Sequence, residues 1–317
     1  MRERKMGLAT RDAYGKTLVE LGRKNRDIFV MDADLAKSTK TDFFAKEFPD
    51  RFINVGIAEA NLVGIAAGLA ACGKIPFISS FACFLICKGY EQFRMSVAFS
   101  ELNVKVVVSH GGISVGEDGA SQQSTEDFAL MLSLPKFVVM NPSDEVSARA
   151  LVEQAAKYQG PVFMRTGRPK YPVIYHEGTQ FEIGKGMLLR EGADLTIVAT
   201  GILVFEALMA SDILAERGIS ASVIDIHTLK PIDRELLRQQ AEKTGAMVCC
   251  EEHSIYGGLG SVVASVMAEE CPVPIAYVAV QDTFAESGRP DELIQKYGLT
   301  AANIVQTAEK VLSRKHK

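Results

Sequence analysis

Short runs rich in Val, Ile and Phe alternate with longer helical patterns along almost the whole sequence, and this alternation constrains the fold more than any other feature. We predict strands at residues 27–32, 104–109, 137–141, 162–165, 195–199, 221–224 and 247–250. Strands that alternate with helices in this way form mainly parallel sheets that the helices cover. The sequence therefore predicts an α/β fold.

A polar stretch at residues 176–186 separates two such patterns. The 317 residues are enough for two domains, each with its own core. We therefore predict two α/β domains with mainly parallel sheets, residues 1–178 and residues 190–317. The predicted helices are residues 10–23, 58–72, 203–217 and 259–270, together with one that follows Asn141 and has Ser143 as its N-cap.

Charge and hydropathy argue against nucleic-acid and membrane partners. The net charge is −4, whereas a nucleic acid requires a basic face. The uncharged runs 62–73 and 75–87 are separated by Lys74, and each is shorter than the roughly 20 residues of a membrane span. We interpret them as two buried elements. The six cysteines have no framework spacing and the N-terminus lacks a signal-peptide core, so we expect a cytoplasmic protein.

Two segments look like binding motifs but are interpreted otherwise. Residues 68–75 approach a phosphate-binding loop, yet Ile75 stands where a metal-binding Ser or Thr is required. Residues 249–253 read CCEEH and are rich in metal-ligating types. Neighbours on a strand point to opposite faces, however, so we interpret this segment as a strand end that leads into a loop.

Glu59 is the first candidate for a functional residue. It lies at the start of the largely apolar helix 58–72, and a glutamate is seldom buried unless it is paired or functional. A carboxylate at a helix start also has a structural explanation, because it interacts favourably with the helix dipole. The residues alone leave both interpretations open.

The same helix carries small residues at every fourth position, namely Ala60, Gly64, Gly68 and Cys72. Residues at this spacing share one helix face, and a glycine costs about 1 kcal/mol within a helix. We therefore predict that another backbone approaches this face closely. Tight packing inside the chain is the first interpretation, and a contact between subunits is the second.

The loop after the strand that ends at His110 is the second candidate site. Residues 116–123 read GEDGASQQ, with acidic and amide side chains between glycines. Such a segment is compatible with a simple surface turn. Loops at the carboxyl ends of parallel strands are nevertheless where α/β proteins bind their ligands.

Together these segments resemble the transketolase family. The resemblance extends in order over almost the whole chain and includes a C-terminal domain of the right size. Its motifs are Asp32-Ala33-Asp34-Leu35 with Ser38, Gly56-Ile57-Ala58-Glu59-Ala60-Asn61, Ser80-Phe81-Ala82-Cys83-Phe84, Ser109-His110, Gly116-Glu117-Asp118-Gly119-Ala120-Ser121-Gln122 and Arg165-Thr166-Gly167-Arg168-Pro169. The resemblance implies that residues 1–178 form the pyrimidine module of a thiamine diphosphate-binding fold, and that residues 190–317 form a transketolase C-terminal domain.

The resemblance also implies roles for individual residues. Glu59 matches the glutamate that hydrogen-bonds a pyrimidine nitrogen of thiamine diphosphate and favours the imino tautomer. Phe84 matches the ring that stacks on the pyrimidine, and Gln122 lies near the cofactor. His110 and Asp118 match residues that bind the sugar hydroxyls in this family. Ser38 and Arg168 match residues that bind the sugar phosphate. Glu59 and His110 are the candidate catalytic residues.

Three departures qualify this resemblance. Gln122 stands where many members have a histidine, as it does in animal-type transketolases, and Cys87 stands where many have a tyrosine. The family holds the cofactor diphosphate and its metal with Gly-Asp-Gly on an N-terminal domain, and no Gly-Asp-Gly occurs in these 317 residues. The resemblance therefore implies a partner, an N-terminal transketolase subunit that would supply the Mg²⁺ ligands. Two copies of each chain would form a heterotetramer.

The function implied is that of the C-terminal subunit of a two-component transketolase. It would transfer a two-carbon ketol unit from a ketose phosphate to an aldose or aldose phosphate, as in the pentose phosphate pathway. A first alternative is a deoxyxylulose-phosphate synthase or a dehydrogenase beta subunit, which have the same layout. A second is a non-catalytic regulatory subunit, suggested by Cys87 and the missing diphosphate site.

Overall fold

The fold is taken from a computed structural model, which describes residues 5–315. Its strands are β1 (Met6–Ala9), β2 (Ile28–Asp32), β3 (Phe52–Asn54), β4 (Ile75–Ser79), β5 (Lys105–Ser109), β6 (Val138–Met140), β7 (Val162–Thr166), β8 (Lys170–Pro172), β9 (Met187–Arg190), β10 (Leu195–Ala199), β11 (Ala221–Asp225), β12 (Thr228–Lys230), β13 (Met247–Ser254) and β14 (Ile275–Val280). Its helices are α1 (Thr10–Lys24), α2 (Ala36–Thr39), α3 (Asp42–Glu47), α4 (Glu59–Ala71), α5 (Ala82–Gln92), α6 (Asp127–Ser133), α7 (Glu145–Lys157), α8 (Leu203–Glu216), α9 (Arg234–Thr244), α10 (Leu259–Glu270), α11 (Pro290–Lys296) and α12 (Ala301–Lys315).

The first large sheet has seven strands in the order β12-β6-β7-β5-β4-β2-β3. All neighbours in it are parallel except β12, which runs antiparallel to β6. Its central strands are continuous runs of buried residues, as in β5 and β7, because helices cover both faces of a parallel sheet. This sheet brings the carboxyl ends of six parallel strands to one edge.

The second large sheet has five strands in the order β14-β13-β10-β11-β9, and only β9 is antiparallel to its neighbour. Helices α8 and α12 pack on one side of it, around Leu203, Leu214 and Val311. A small antiparallel pair, β1 and β8, lies apart from both large sheets. The predicted α/β fold with mainly parallel sheets is confirmed. The domain limits remain predictions, and residues 1–4 and 316–317 lie outside the described part of the chain.

The two uncharged runs fall into ordinary helices and strands, although α4 is buried on one face only. The first forms most of α4, and the second forms β4 and the beginning of α5. Between residues 5 and 315, no helix combines the length and apolar character needed to cross a bilayer.

The predicted N-cap of α7 is wrong by one residue. The Asp144 side chain accepts a hydrogen bond from the Ser147 amide at 2.8 Å, and the Ser147 hydroxyl accepts one from the Asp144 amide at 3.0 Å. The Ser143 hydroxyl donates instead to the Asp225 carboxyl at 2.7 Å. Ser143 therefore connects the two halves of the chain, and Asp144 caps the helix.

The internal-packing interpretation of the small-residue face is also wrong. Gly64 and Gly68 are exposed on α4, and a Cβ built on either one meets no atom within 4 Å. Large apolar side chains nearby in the chain are exposed too, including Ile57. The second interpretation, a contact between subunits, stays a prediction.

Candidate functional site

The predicted site residues follow the carboxyl ends of neighbouring parallel strands. The strands β7, β5, β4, β2 and β3 are adjacent in that order, so the segments after them meet at one edge of the sheet. These segments carry, in the same order, Arg168, His110, Phe84, Ser38 and Glu59.

Glu59 is the first residue of α4, and its side chain is 4% exposed. Gly56 precedes it in a left-handed conformation, with φ of +72°, and turns the chain from β3 into the helix. The Lys88 ammonium lies 3.2 Å and 3.3 Å from the two oxygens of the Glu59 carboxylate. The buried carboxylate is thus held by a half-exposed cation from α5.

Three rings form a row beside this pair. The ring of Phe84 lies 5.7 Å from that of Phe81, which in turn stacks on the His110 ring at 3.8 Å, centroid to centroid. The Lys88 ammonium lies 5.0 Å from the centroid of Phe84. Phe84 is half-buried, whereas Phe81 and His110 are buried. The row therefore connects the Glu59 carboxylate with the end of β5.

His110 is fixed in its neutral form. Its backbone has φ of +59°, and its Nδ1 lies 2.8 Å from the Ser109 hydroxyl. Its Nε2 lies 3.2 Å from the guanidinium of Arg11, which can only donate, so Nε2 is the acceptor. Burial, together with the charges of Arg11, Arg168 and Lys40, lowers the pKa of His110 to about 3.

Cations surround this end of the row. Arg11 also donates to the Ser38 carbonyl at 2.9 Å, and its buried Nε has no hydrogen-bond partner in the described structure. Arg168 donates to the Val115 carbonyl and to the Glu117 carboxylate. Burial is the main cause that lowers the pKa of Arg11, and the nearby charge of Arg168 contributes. An anion would relieve this clustering of positive charge.

Asp118 and Gln122 lie on the loop that follows β5. Asp118 is exposed. The backbone amide of Gln122 donates to the Gly119 carbonyl at 3.0 Å. The Gln122 side chain accepts from the Ser121 hydroxyl of the same loop. The structure thus connects Glu59 with Phe84 through Lys88, and Phe84 with His110 through Phe81. It places Asp118 and Gln122 on the adjoining loop.

Sequence reasoning missed three cations of this site. Arg11 lies in the first turn of α1, where a positive charge opposes the helix dipole, and that unfavourable position was a usable signal. Lys88 is four residues after Phe84 and shares its helix face, but an exposed lysine gives no signal by itself. Lys40 has a left-handed backbone, with φ of +69°, which the sequence does not reveal.

Two other features lie outside the site. Residues 249–253 are all inside β13 rather than at its end, and the described residues contain no His, Cys, Asp and Glu cluster that could hold a metal. A cavity of about 850 Å³ between α1 and α7 is lined by surface residues of both charges, such as Lys16 and Glu20, and by none of the predicted site residues. The site is therefore an open edge of the sheet rather than this cavity.

Cys87 lies next to the site on α5 and is exposed. Its thiol is 3.7 Å from the Glu126 carboxylate. Partial burial of the thiol and the charge of Glu126 raise the pKa of Cys87 to about 11. The thiol is therefore protonated at neutral pH and acts as a small neutral group at this position.

The sequence of this chain matches two models of one protein family. The family model for the transketolase pyrimidine-binding domain matches residues 6–173, and that for the transketolase C-terminal domain matches residues 184–304. A chain of Methanocaldococcus jannaschii described as a transketolase C-terminal section is 47% identical, with 93% of this chain and 94% of that one aligned.

Further relatives differ in length and in the role that their names give. The 6-deoxy-6-sulfo-D-fructose transketolase subunit of a Clostridium species is 45% identical over 96% of this chain and 95% of its own. Human transketolase is 37% identical over 97% of this chain but only 49% of its own length. A solved structure entitled split gene transketolase, inactive beta4 tetramer, is 51% identical, with a TM-score of 0.92, over 98% of this chain and 100% of that one.

Proposed function

This chain belongs to the transketolase family, and on that premise we propose that it is the C-terminal subunit of a two-component, thiamine diphosphate-dependent transketolase. It transfers a two-carbon ketol unit from a ketose phosphate to an aldose or aldose phosphate, as in the pentose phosphate pathway. Relatives of its own length are named as sections or subunits of transketolases, whereas human transketolase is about twice as long.

The site fits the pyrimidine end of thiamine diphosphate. Glu59 is a buried carboxylate whose partner, Lys88, is half-exposed. Phe84 offers a half-buried ring for stacking, and Gln122 lies on the adjoining loop. Glu59 then hydrogen-bonds a pyrimidine nitrogen and holds a proton there. When bound, thiamine diphosphate supplies the electron sink for cleavage of the ketose carbon–carbon bond.

The cation cluster suits a phosphorylated sugar. Arg168 and the Ser38 segment bind the phosphate, and Arg11, the cation missed from the sequence, adds a second guanidinium. His110 stays neutral, so it hydrogen-bonds a sugar hydroxyl without adding charge. Asp118 completes the hydroxyl contacts from the loop after β5.

The diphosphate end of the cofactor requires a second chain. No Gly-Asp-Gly is present, so we assign the Mg²⁺ ligands to an N-terminal transketolase subunit and propose a heterotetramer with two copies of each chain. The solved structure entitled split gene transketolase, inactive beta4 tetramer, supports this, because its chain matches this one over nearly their whole length and its title names a split transketolase. We retain residues 1–178 and 190–317 as the two domains and a cytoplasmic location as proposals.

Glu59 is the observation that carries the proposal, and its replacement tests it. The chain is mixed with its N-terminal partner, thiamine diphosphate and Mg²⁺, and then with xylulose 5-phosphate and ribose 5-phosphate. We expect a sedoheptulose product from the wild-type complex. Glu59→Gln should lower kcat by about a hundredfold or more while the complex still assembles, because a proton-holding group contributes roughly 10²–10⁴-fold.

Glu309→Gln is the matched control, since this exposed glutamate pairs with Arg217 far along the chain from the site. It should leave kcat unchanged. Equal activity of the Glu59→Gln complex would instead support the regulatory-subunit alternative. Several ketose donors, including a sulfonated ketose, are also tested, and pyruvate consumption is measured separately. If the complex consumes pyruvate and transfers no ketol unit from any of these donors, the synthase or dehydrogenase alternative is supported.

A further inference from the structure

Glu252, from the second half of the chain, contacts the loop that follows His110. It lies on β13, and its side chain is only 5% exposed. One carboxylate oxygen accepts a hydrogen bond from the backbone amide of Ser114 at 2.5 Å. Ser114 is four residues after His110 and four before Asp118, so this bond reaches the middle of the segment between two proposed substrate-binding residues.

Arg165 orients the Glu252 carboxylate. One guanidinium nitrogen of Arg165 donates to the Glu252 backbone carbonyl at 2.7 Å. The same nitrogen lies 3.3 Å from the Glu252 carboxylate oxygen that does not contact Ser114. The other terminal nitrogen lies 3.0 Å from the Asp127 carboxylate. All three side chains are buried, so each charge depends on the others for compensation. The carboxylate is therefore held in one position.

The loop is packed directly against this carboxylate. A Cβ built on Gly112 would lie 2.2 Å from the Glu252 carboxyl carbon, and one built on Gly111 would lie 2.3 Å from the Arg165 side chain. Gly112 also has φ of +78°, which other residues rarely adopt. No side chain separates the loop backbone from the charged network at this point.

A second contact with the same half of the chain fixes the far end of the loop. The Gln123 side-chain amide donates to the Glu286 carbonyl at 3.0 Å, and to the carbonyls of Ile113 and Gly116 at 3.3 Å each. A Cβ on Gly119 would lie 2.4 Å from the Ser287 hydroxyl. The segment just before α11 therefore lies against the loop beside Asp118.

We propose that the second half of the chain positions the loop of residues 110–123 for sugar binding, and that Glu252 is the positioning residue at its centre. The inference rests on the proposed function, because it assigns the sugar contacts to His110 and Asp118. Glu252 itself touches neither cofactor nor sugar. It acts by fixing the backbone that carries both contacting residues.

Two Glu252 variants weaken the contact with Ser114 in different ways. Glu252→Asp keeps the charge next to Arg165 but withdraws the oxygen from Ser114, and Glu252→Gln keeps the acceptor but removes the charge. In the assembled complex, each should raise KM for the donor sugar about tenfold, since a charge-assisted hydrogen bond contributes roughly that factor. The kcat at saturating sugar and the affinity for thiamine diphosphate should stay within about twofold.

Glu251→Gln is the matched control. Glu251 is the preceding residue on β13 and equally buried, but its oxygens accept from the amides of Leu259 and Gly260 within the second half of the chain. It should leave KM unchanged even where it lowers the melting temperature. A KM for Glu252→Asp within twofold of wild type, or the same rise in Glu251→Gln, would overturn the proposal.

Hydrogen exchange on the isolated wild-type and variant chains gives a readout that needs no catalysis. The Ser114 amide should exchange at least tenfold faster in Glu252→Asp than in Glu251→Gln, and equal rates would refute the contact. Gln123→Met tests the same loop without leaving a buried charge unpaired, and it should also raise KM. If the wild-type complex transfers no ketol unit, the proposed function fails, while the exchange rates still decide whether Glu252 holds the loop.

Discussion

Lys88 balances the charge of Glu59 in the free chain. Its ammonium lies within 3.3 Å of both carboxylate oxygens, and Glu59 is almost fully buried. Lys88→Met would leave that carboxylate without its ion-pair partner. Because Lys88 is half-exposed, we expect the free energy of unfolding to fall by only about 1–2 kcal/mol, measured by urea denaturation of the isolated chain.

Lys74→Met provides the comparison for this prediction. Lys74 pairs with Asp27 where both side chains are exposed, so its loss should change the free energy of unfolding by less than about 0.5 kcal/mol. Equal effects of the two substitutions would show that Lys88 contributes no more than a surface ion pair does.

His110 makes stability depend on pH in a defined direction. Its folded-state pKa of about 3 lies below the ordinary value of 6.5, so the unfolded chain binds the proton first as the pH falls. The contribution of His110 is fully present above pH 6.5 and is lost progressively toward pH 3. His110→Asn should therefore flatten the decline in melting temperature between pH 6.5 and 4.

Burial also lowers the pKa of His227, to about 4. Because His227 is present in both wild type and His110→Asn, the difference between the two proteins reports the contribution of His110. An unchanged decline in His110→Asn would mean that the His110 ring takes up its proton equally in both states.

The candidate site residues that lie in sequence motifs could be found from the sequence. The side chains that pair with them in the fold could not. Glu59, Phe84 and His110 stand out by residue type and position, and the structure links them through Lys88 and Phe81. Lys88 lies 29 residues from Glu59, and Glu252 lies 138 residues from Ser114. Their pairing depends on how α5 and β13 pack, which no local pattern encodes.

Among the elements, length alone did not decide what the sequence could predict, since α12 has 15 residues and was not predicted. Strand β10 was predicted at its observed limits and β5 within one residue, because each predicted run of five or six residues contains four apolar ones, which give a clear signal. Strand β12 has three residues and was not predicted. It nevertheless joins the second half of the chain to the first sheet through β6, a long-range pairing that three residues cannot specify.

Helix α4 gives a prediction at the scale of the element. A Cβ added at Gly64 meets nothing within 4 Å, so Gly64→Ala should raise the free energy of unfolding of the isolated chain by about 0.5–1 kcal/mol. Urea denaturation measures this change. A loss of stability would mean that another part of the chain does need the space above Gly64.

A larger residue at Gly68 tests the remaining interpretation of that face. Gly68→Leu should leave the isolated chain folded, since the position is open, and should weaken binding of the N-terminal partner at least tenfold. Circular dichroism and calorimetric titration measure the two effects. Unchanged partner binding would exclude this face from the contact between subunits.

At the scale of the whole molecule, the two halves of the chain are coupled through buried polar groups. Asp225 accepts from the hydroxyls of Ser143 and Tyr175 at 2.7 Å each, and Arg165 connects β7 with β13. Buried hydrogen bonds of this kind are lost together when the halves separate. The chain should therefore unfold in one transition in calorimetry. Two resolved transitions would show that the halves are independent.

The isolated chain should not bind thiamine diphosphate tightly. Glu59 and Phe84 offer a hydrogen bond and a stacking surface for the ring end, but the diphosphate carries most of the cofactor's charge and needs a metal with its ligands. Calorimetric titration with the cofactor and Mg²⁺ should give a Kd of about 1 mM or weaker for the chain alone. Addition of the N-terminal partner should tighten it by at least a hundredfold, because that chain completes the site. Tight binding by the isolated chain would require a diphosphate site within these 317 residues and would remove the need for a second polypeptide.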